Sequence, residues 1–310
     1  EIASCLVGSE MCIRDSMNIK KPFSKRSLAK FVNMAREVCM PSVIVHAFVF
    51  FDGRKVLSRN WGDDINYFFL QRLWHKAIVC YDYSSLAHRF KRTNYLIIGS
   101  SLTLLCNRQS IVWGAGVIDD AKELPAHPKK VLAVRGPLSR KYLLDRGIEC
   151  PAVYGDPALL VPKVYHPSVT KKYKLGIIPH YSDYGSPLLD KLKQDPGILF
   201  IRMEGYRQWT DVVDLILSCE AIASSSLHGL ILSEAYHIPN CWIEIEGTLL
   251  GGHFKFHDFF LSIGRDRALP LQITAETTKE SLSEALDSWV AGYIDLEPLI
   301  KQSPFKCYFS

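Results

Sequence analysis

No run of apolar residues in this chain reaches the ~18 that a membrane-spanning helix needs. The longest apolar-rich stretch, Ser42 to Phe51, is strand-sized and broken by His46. Long blocks of like charge are missing too, so there is no basic tail for nucleic acid, although a local cationic pocket for a small anion stays open. Paired cysteines are absent. Nine cysteines, at Cys5, Cys12, Cys39, Cys80, Cys106, Cys150, Cys219, Cys241 and Cys307, lie scattered with no CxxC spacing. An odd number, with Cys80, Cys219 and Cys241 in apolar stretches, reads as reduced thiols and not as a disulfide framework or zinc site. HExxH, GxGxxG and GxxxxGK[ST] do not occur either, which removes metalloprotease, dinucleotide and P-loop nucleotide readings. No metal site is expected.

What is present is ordinary globular material. The 310 residues are 48% hydrophobic and 22% charged with a formal net charge of +5, enough chain for two cores. Residues 1–16, EIASCLVGSEMCIRDS, have no basic region, long apolar region or small-residue cleavage site, so they are not a secretory signal. They resemble translated sequencing-adapter DNA and are read as a non-native leader, with Met17 as the expected start. The expectation is a cytoplasmic protein with at most peripheral contact at the inner face of the cell membrane.

Short β-branched and aromatic runs alternate with amphipathic segments in two similar halves. Strands are expected at Val43–Phe50, Ala77–Tyr81, Tyr95–Ile98, Ile111–Trp113, Val131–Val134 and Ala152–Tyr154, with helices at Asp63–Lys76 and Pro137–Arg146. Pro137 in a first turn and Gly147 after the last turn frame the second of these helices. The polar stretch 165–173 reads as a linker between an N-terminal domain, 17–164, and a C-terminal domain, 174–310. The second half restarts with strands at Lys174–Pro179, Ile198–Arg202, Ala221–Ser224 and Asn240–Ile245. Its helices are expected at Pro187–Gln194, Thr210–Cys219, His228–His237 and Thr277–Ala291. The pattern predicts an α/β fold of two Rossmann-like domains whose parallel sheets face across a cleft, with chemistry in the strand-to-helix loops.

Four loops carry chemically useful residues. In Asn60-Trp61-Gly62-Asp63-Asp64, an Asp caps the coming helix, or Gly62 admits a substrate whose hydroxyls meet Asn60 and an Asp. The turns Gly99-Ser100-Ser101 and Trp113-Gly114-Ala115-Gly116 offer a small-residue floor for packing or for a ligand. Arg135, between a strand end and a helix start, is a guanidinium placed for a carboxylate or phosphate. Ser224-Ser225-Ser226-Leu227-His228 runs from a strand into a helix. Its N–H groups and hydroxyls suit an oxyanion, and His228 is placed to move a proton near neutral pH. His180 stands at another strand end. Lys255 sits between aromatics in a flexible glycine-led loop, with Arg265 beyond it, and His253 and His257 read as structural.

Taken together these residues resemble the polysaccharide pyruvyl transferase family. The matching pieces are Asn60-Trp61-Gly62-Asp63-Asp64, Trp113-Gly114-Ala115-Gly116, Val134-Arg135-Gly136-Pro137-Leu138-Ser139, Gly155-Asp156-Pro157-Ala158, Ile178-Pro179-His180 and Ser225-Ser226-Leu227-His228-Gly229, in order from about residue 42 to about residue 267. Ser-Leu-His and Phe-Lys-Phe place the chain nearest the exopolysaccharide (succinoglycan-type) branch. The resemblance implies a GT-B-like pair of domains and transfer of pyruvate from phosphoenolpyruvate to a sugar as a cyclic ketal, with no cofactor. It implies a saccharide acceptor, lipid-linked, and no nucleic acid partner.

By that resemblance Arg135 grips the donor and His228 is catalytic. Ser226 stands where many relatives carry arginine, so Lys255 or Arg265 has to supply the missing charge, with Ser225 and Ser226 completing the donor site. Asp63, Asp64 or His180 serves the acceptor hydroxyl, and Asn60, Gly62, Gly114 and Gly116 line the acceptor side. The alternatives are a GT-B-type glycosyltransferase using a nucleotide sugar and a non-catalytic saccharide-binding relative.

Overall fold

A computed structural model describes residues 24–247, 251–266 and 269–309. Residues 1–16 and Arg267 lie outside the described residues. The first half holds β1 (Ser42–Val45), β2 (Ala77–Cys80), β3 (Asn94–Leu96), β4 (Ser110–Trp113) and β5 (Lys130–Ala133). Around them run α1 (Lys25–Cys39), α2 (Trp61–Trp74), α3 (Ser85–Arg89), α4 (Leu102–Leu105) and α5 (Pro137–Leu144). The second half holds β6 (Tyr173–Ile178), β7 (Ile198–Phe200), β8 (Cys219–Ser224), β9 (Asn240–Glu244) and β10 (Leu271–Gln272). Its helices are α6 (Asp190–Lys193), α7 (Trp209–Leu217), α8 (Leu227–Ala235), α9 (Phe254–Ser262), α10 (Lys279–Asp287) and α11 (Glu297–Lys301).

Each half forms a five-stranded parallel sheet, in the orders β2-β1-β3-β4-β5 and β10-β9-β8-β6-β7. Counted from the first strand of its own half, the second order is the first one reversed, so both sheets share one topology. Every residue of β2 and of β9 is buried, and β2 reads as an unbroken apolar run while β9 holds Cys241, Trp242 and Ile243 between a polar residue at each end. Helices cover the faces. Trp61, Ile65, Phe69, Leu70, Leu73 and Trp74 of α2 are all buried in the main core. Fully burying an aliphatic or aromatic side chain contributes about 1.5–3 kcal/mol, so this helix is held by packing more than by propensity.

Several elements differ from the pattern. The run expected as Val43–Phe50 leaves the sheet after Val45, and Phe48 and Phe50 face solvent. The strand expected at Ala152–Tyr154 is reduced to an isolated bridge of Tyr154 to Val134 beside β5. The glycine-led loop around Lys255 is the start of α9, whose Phe256, Phe259 and Phe260 bury a helical face. The chain's end returns to the first sheet, where Trp113 Nε1 donates to Leu299 O at 2.9 Å and Trp74 Nε1 donates to Ser303 Oγ at 3.1 Å. Cys80, Cys106, Cys150 and Cys219 are unbridged buried thiols, pushed up to about 11 or 12 by burial.

Candidate functional site

In an open parallel sheet the crevice for a ligand opens at the carboxyl ends of the strands, where the strand order reverses. That point is β1/β3 in the first sheet and β6/β8 in the second. From the first come the loop entering α2 and the turn at Gly99. Asn60 caps α2, its Oδ1 accepting from Gly62 N at 3.1 Å while its Nδ2 donates to Asp63 Oδ2 at 2.7 Å. Asp64 is buried and accepts from Asn60 N at 3.3 Å and from the Tyr206 hydroxyl at 2.7 Å, while its Oδ1 has no partner. Burial and the neighbouring Asp64 charge push Asp63 up to about 7. Burial raises Asp64 as well.

From the second sheet come His180, after β6, and the serine turn with His228, after β8. Ser225 Oγ accepts from His180 N at 2.8 Å, and Ser224 Oγ accepts from Ser226 N at 3.0 Å, so the hydroxyls shape the turn. Ser226 holds the N-cap position of α8, but its hydroxyl makes no capping bond to the first turn. The His228 ring lies edge-on to Trp61, centroids 6.4 Å apart, and its Nε2 is buried with no partner. It also lies flat against Gly62, where an added Cβ would come within 2.6 Å of His228 Cε1. Burial, then the charges of Arg135 and Lys255, lower His228 to about 3. Burial and Lys255 lower His180 to about 4. Both imidazoles are therefore neutral at neutral pH.

Lys255, in the first turn of α9, joins the two sets. It is only 9% exposed and has no ion-pair partner among the described residues. Asp63, His180 and His228 all feel its charge, and burial together with Arg135 lowers it to about 8. Gly99 marks the space between. A side chain there would meet Asp63 Oδ1 at 3.8 Å and His228 Cε1 at 3.9 Å, and Gly99 has φ +99°. A carboxyl and an imidazole thus meet beside a backbone position that carries no side chain, and the Lys255 charge acts on both.

The remaining predicted residues sit elsewhere. Arg135 is fully buried. Its Nε donates to Asp258 Oδ2 at 3.0 Å, its Nη1 to Ser100 Oγ at 2.6 Å and its Nη2 to Val117 O at 2.7 Å. Asp258 also accepts from Ser139 N at 2.8 Å and Ser139 Oγ at 2.6 Å, so one carboxylate from α9 holds the first turn of α5 and the guanidinium together. Arg135 acts on the site as a fixed charge beneath it. The face of Gly116 is filled by the Arg135 guanidinium and that of Gly114 by Pro157. Arg265 is bonded to Glu234, which also receives Gly292 N at 3.0 Å, and it stays with that cluster.

A family model described as polysaccharide pyruvyl transferase matches residues 53–247. The chain belongs to that family. It is 28% identical over 244 residues to protein L143 of Acanthamoeba polyphaga mimivirus, covering 76% of this chain and 79% of that one. It is 27% identical over 192 residues to the succinoglycan biosynthesis protein ExoV of Rhizobium meliloti, covering 60% of this chain and 54% of that relative. The chain therefore spans about half the length of the second relative. A polysaccharide pyruvyl transferase is a transferase with a saccharide acceptor. Among the described residues no helix is long and apolar enough to cross a membrane.

Two residues of this candidate site escape sequence reasoning. Asp258 lies three positions after Lys255, one turn along the same helix face, and that spacing is a usable signal. Tyr206, in an irregular stretch after β7, has none.

Proposed function

We propose that the protein transfers pyruvate from phosphoenolpyruvate to a sugar of a lipid-linked exopolysaccharide precursor, closing a cyclic ketal and releasing phosphate. One arrangement carries the reading. Asp63 and His228 both stand beside Gly99, and the charge of Lys255, which has no ion-pair partner among the described residues, acts on both. Two Rossmann-like domains, 17–164 and 174–310 joined through 165–173, close on this space as a cleft in the manner of GT-B enzymes.

The donor carries a phosphate and a carboxylate. Lys255 takes one, and the α8 N-terminus with the Ser225 and Ser226 hydroxyls takes the other, while Arg135 adds its field from below. Asp63, at about 7, is the group able to hold a proton near neutral pH and release it to the methylene carbon of the donor. That protonation makes a methyl group and an electron-poor C2. A sugar hydroxyl adds to C2 and gives its proton to neutral His228. The C2–O bond to phosphate then breaks, and a second hydroxyl of the same sugar closes the ketal. Of the two hydroxyl protons released, one restores Asp63 and the other leaves with phosphate. Asn60, Gly62 and His180 position the acceptor, and no cofactor or metal enters any step.

The pH dependence of kcat/KM, which reports the free enzyme, tests the assignment. Asp63 must be protonated and Lys255 charged, so activity falls as pH rises through about 7 and falls more steeply above about 8. Lys255→Arg, which keeps its charge at high pH, removes the second limb and leaves the first. Activity that rises through about 7 sinks the role of Asp63. No phosphate release from phosphoenolpyruvate with any saccharide acceptor sinks the function.

A further inference from the structure

The His180 ring is held by one of its two nitrogens. Nδ1 lies 2.8 Å from the Ser182 hydroxyl, whereas Nε2 has no hydrogen-bond partner among the described residues. The backbone around the ring is fixed twice. Asp183 N donates to His180 O at 2.9 Å, closing the short turn Tyr181–Asp183, and His180 N donates to Ser225 Oγ. A further buried carboxylate belongs to this turn. Asp183 is 2% exposed and has no ion-pair partner among the described residues. Its Oδ1 accepts from the Ser182 hydroxyl at 2.8 Å and its Oδ2 from the Ser225 hydroxyl at 3.5 Å.

Counting protons fixes the state of the ring. A serine hydroxyl has one proton to donate, and an ionised carboxylate only accepts. Burial raises Asp183, and the bonds from Ser182 and Ser225 act against it. Two hydroxyl donors on one carboxyl favour its ionised form. The Ser182 proton is therefore directed at Asp183, and the bond between Ser182 Oγ and Nδ1 takes its proton from the ring. The Ser182 N–H also approaches Nδ1, but at 3.5 Å, the far limit of a hydrogen bond, it yields to the shorter contact. Burial and the Lys255 charge keep the ring neutral, so the lone pair is on Nε2.

We propose that Ser182 and Asp183 are positioning residues that hold His180 as its Nδ1–H tautomer, leaving Nε2 to take the proton of the second sugar hydroxyl as the ketal closes. The step rests on the transfer reaction proposed above; the tautomer does not. Two hydroxyls of one sugar must lose protons, and two neutral imidazoles follow the paired strands β6 and β8, whose ends meet at Ile178 and Ser224. With His228 serving the first hydroxyl, His180 serves the second. The hydroxyl oxygen bonds C2, which phosphate has already left, while its O–H bond breaks and the proton goes to Nε2. A weak base suffices, because C2 is electron-poor when this hydroxyl arrives. The imidazolium is favoured meanwhile by the chain from Nδ1–H through Ser182 to the Asp183 charge. Nε2 then gives the proton to phosphate, and the proton on His228 restores Asp63.

Nitrogen-15 NMR of the full chain, labelled in histidine, reads the tautomer of the free protein at neutral pH, with the His180 signals identified by their loss in His180→Gln. Nδ1 should appear protonated and Nε2 unprotonated. Ser182→Ala removes the acceptor of the Nδ1 proton and leaves the backbone N–H at position 182 as the partner of Nδ1, so the proton should move to Nε2. Ser182→Thr keeps the hydroxyl and should keep the tautomer. Ser182→Ala should also lower kcat for ketal formation by about 10²-fold, the low end for a positioned base, and Ser182→Thr should recover most of that. Ser182 is exposed, so both variants should fold; Asp183→Asn, at a buried position, is a second probe and should weaken the preference for Nδ1–H. Three results overturn the proposal. These are a proton on Nε2 in the unaltered protein, a tautomer that Ser182→Ala leaves unchanged, and a switched tautomer with ketal formation at full rate. The expected tautomer and switch in a protein that releases no phosphate from phosphoenolpyruvate with any saccharide acceptor overturn the transfer reaction instead, and with it the step at Nε2.

Discussion

At its switch point the first sheet presents carboxyl groups, Asp63 and Asp64, whereas the second presents the imidazoles His180 and His228, with the ammonium of Lys255 added from α9, after β9. The two sheets have the same strand order, so each opens a crevice at the same place, and the loops alone decide the sign of what stands there. Burial then acts in opposite directions on the two sides. It raises the carboxyls and lowers the imidazoles and the amine, which moves every group toward its neutral form. With Asp63 at about 7, Lys255 at about 8 and His228 at about 3, the empty site holds less charge at neutral pH than its residues imply.

Removing either side should have the largest effect. Asp63→Asn keeps the bond geometry with Asn60 but takes away the transferable proton, and His228→Gln takes away the acceptor. Each should reduce kcat by about 10²–10⁴-fold, the range for a positioned acid or base. In the double variant the loss should be far smaller than the product of the two, since the groups act as a unit. Fully multiplicative losses in phosphate-release assays would show that the sides work independently and break the comparison.

The Arg135–Asp258 pair links the halves, and its loss should appear in stability first. Arg135→Met leaves Asp258 as a buried carboxylate without its cation, at a cost of about 3–5 kcal/mol in urea unfolding. Replacing Asp258 with Leu in the same chain should restore much of that. With the positive charge gone, the depression of His228 and Lys255 should also relax, and the high-pH limb of kcat/KM should move upward. An unmoved limb would mean that Arg135 serves the fold alone.

Much of this arrangement was legible in the residue pattern because buried parallel strands are short apolar runs and glycine, proline and serine mark their ends. Asn60 through Asp64, Gly99, and Ser224 through His228 were found that way. What stayed hidden depends on pairing across long sequence separation. Nothing local distinguishes an Arg135 free to bind an anion from one spent on Asp258, and nothing local says that Gly116 is filled by that guanidinium. Gly251 and Gly252 read as flexibility, yet the phenylalanines after them bury a helix face.

The contact between the two sides can be disturbed without removing a functional group. Gly62 needs no left-handed backbone, so alanine has no conformational penalty there, but its Cβ would come within 2.6 Å of His228 Cε1. The ring must shift, and a displacement on the order of 1 Å can cost about 10²-fold in rate. Gly62→Ala should therefore lower kcat by roughly that factor, with a stability loss of about 1–3 kcal/mol from crowding the buried ring. Equal activity would place the reacting imidazole face away from Gly62.

The smallest effect, and the most discriminating, belongs to Tyr206. Its hydroxyl gives Asp64 a hydrogen bond that favours the ionised carboxylate. Tyr206→Phe leaves that oxygen with the Asn60 N–H alone, at about 1–3 kcal/mol of stability for an undersatisfied buried acceptor. Asp64 then ionises less readily. Since the Asp64 charge is one of the two causes that raise Asp63, its weakening lets Asp63 fall below about 7. If Asp63 is the proton donor, the first limb of kcat/KM moves to lower pH, and activity at neutral pH drops while activity in acid is preserved. A tyrosine that only braces the loop would lower stability and leave the limb where it was. Comparing the two pH profiles therefore separates the electrostatic coupling of Asp63 and Asp64 from simple packing.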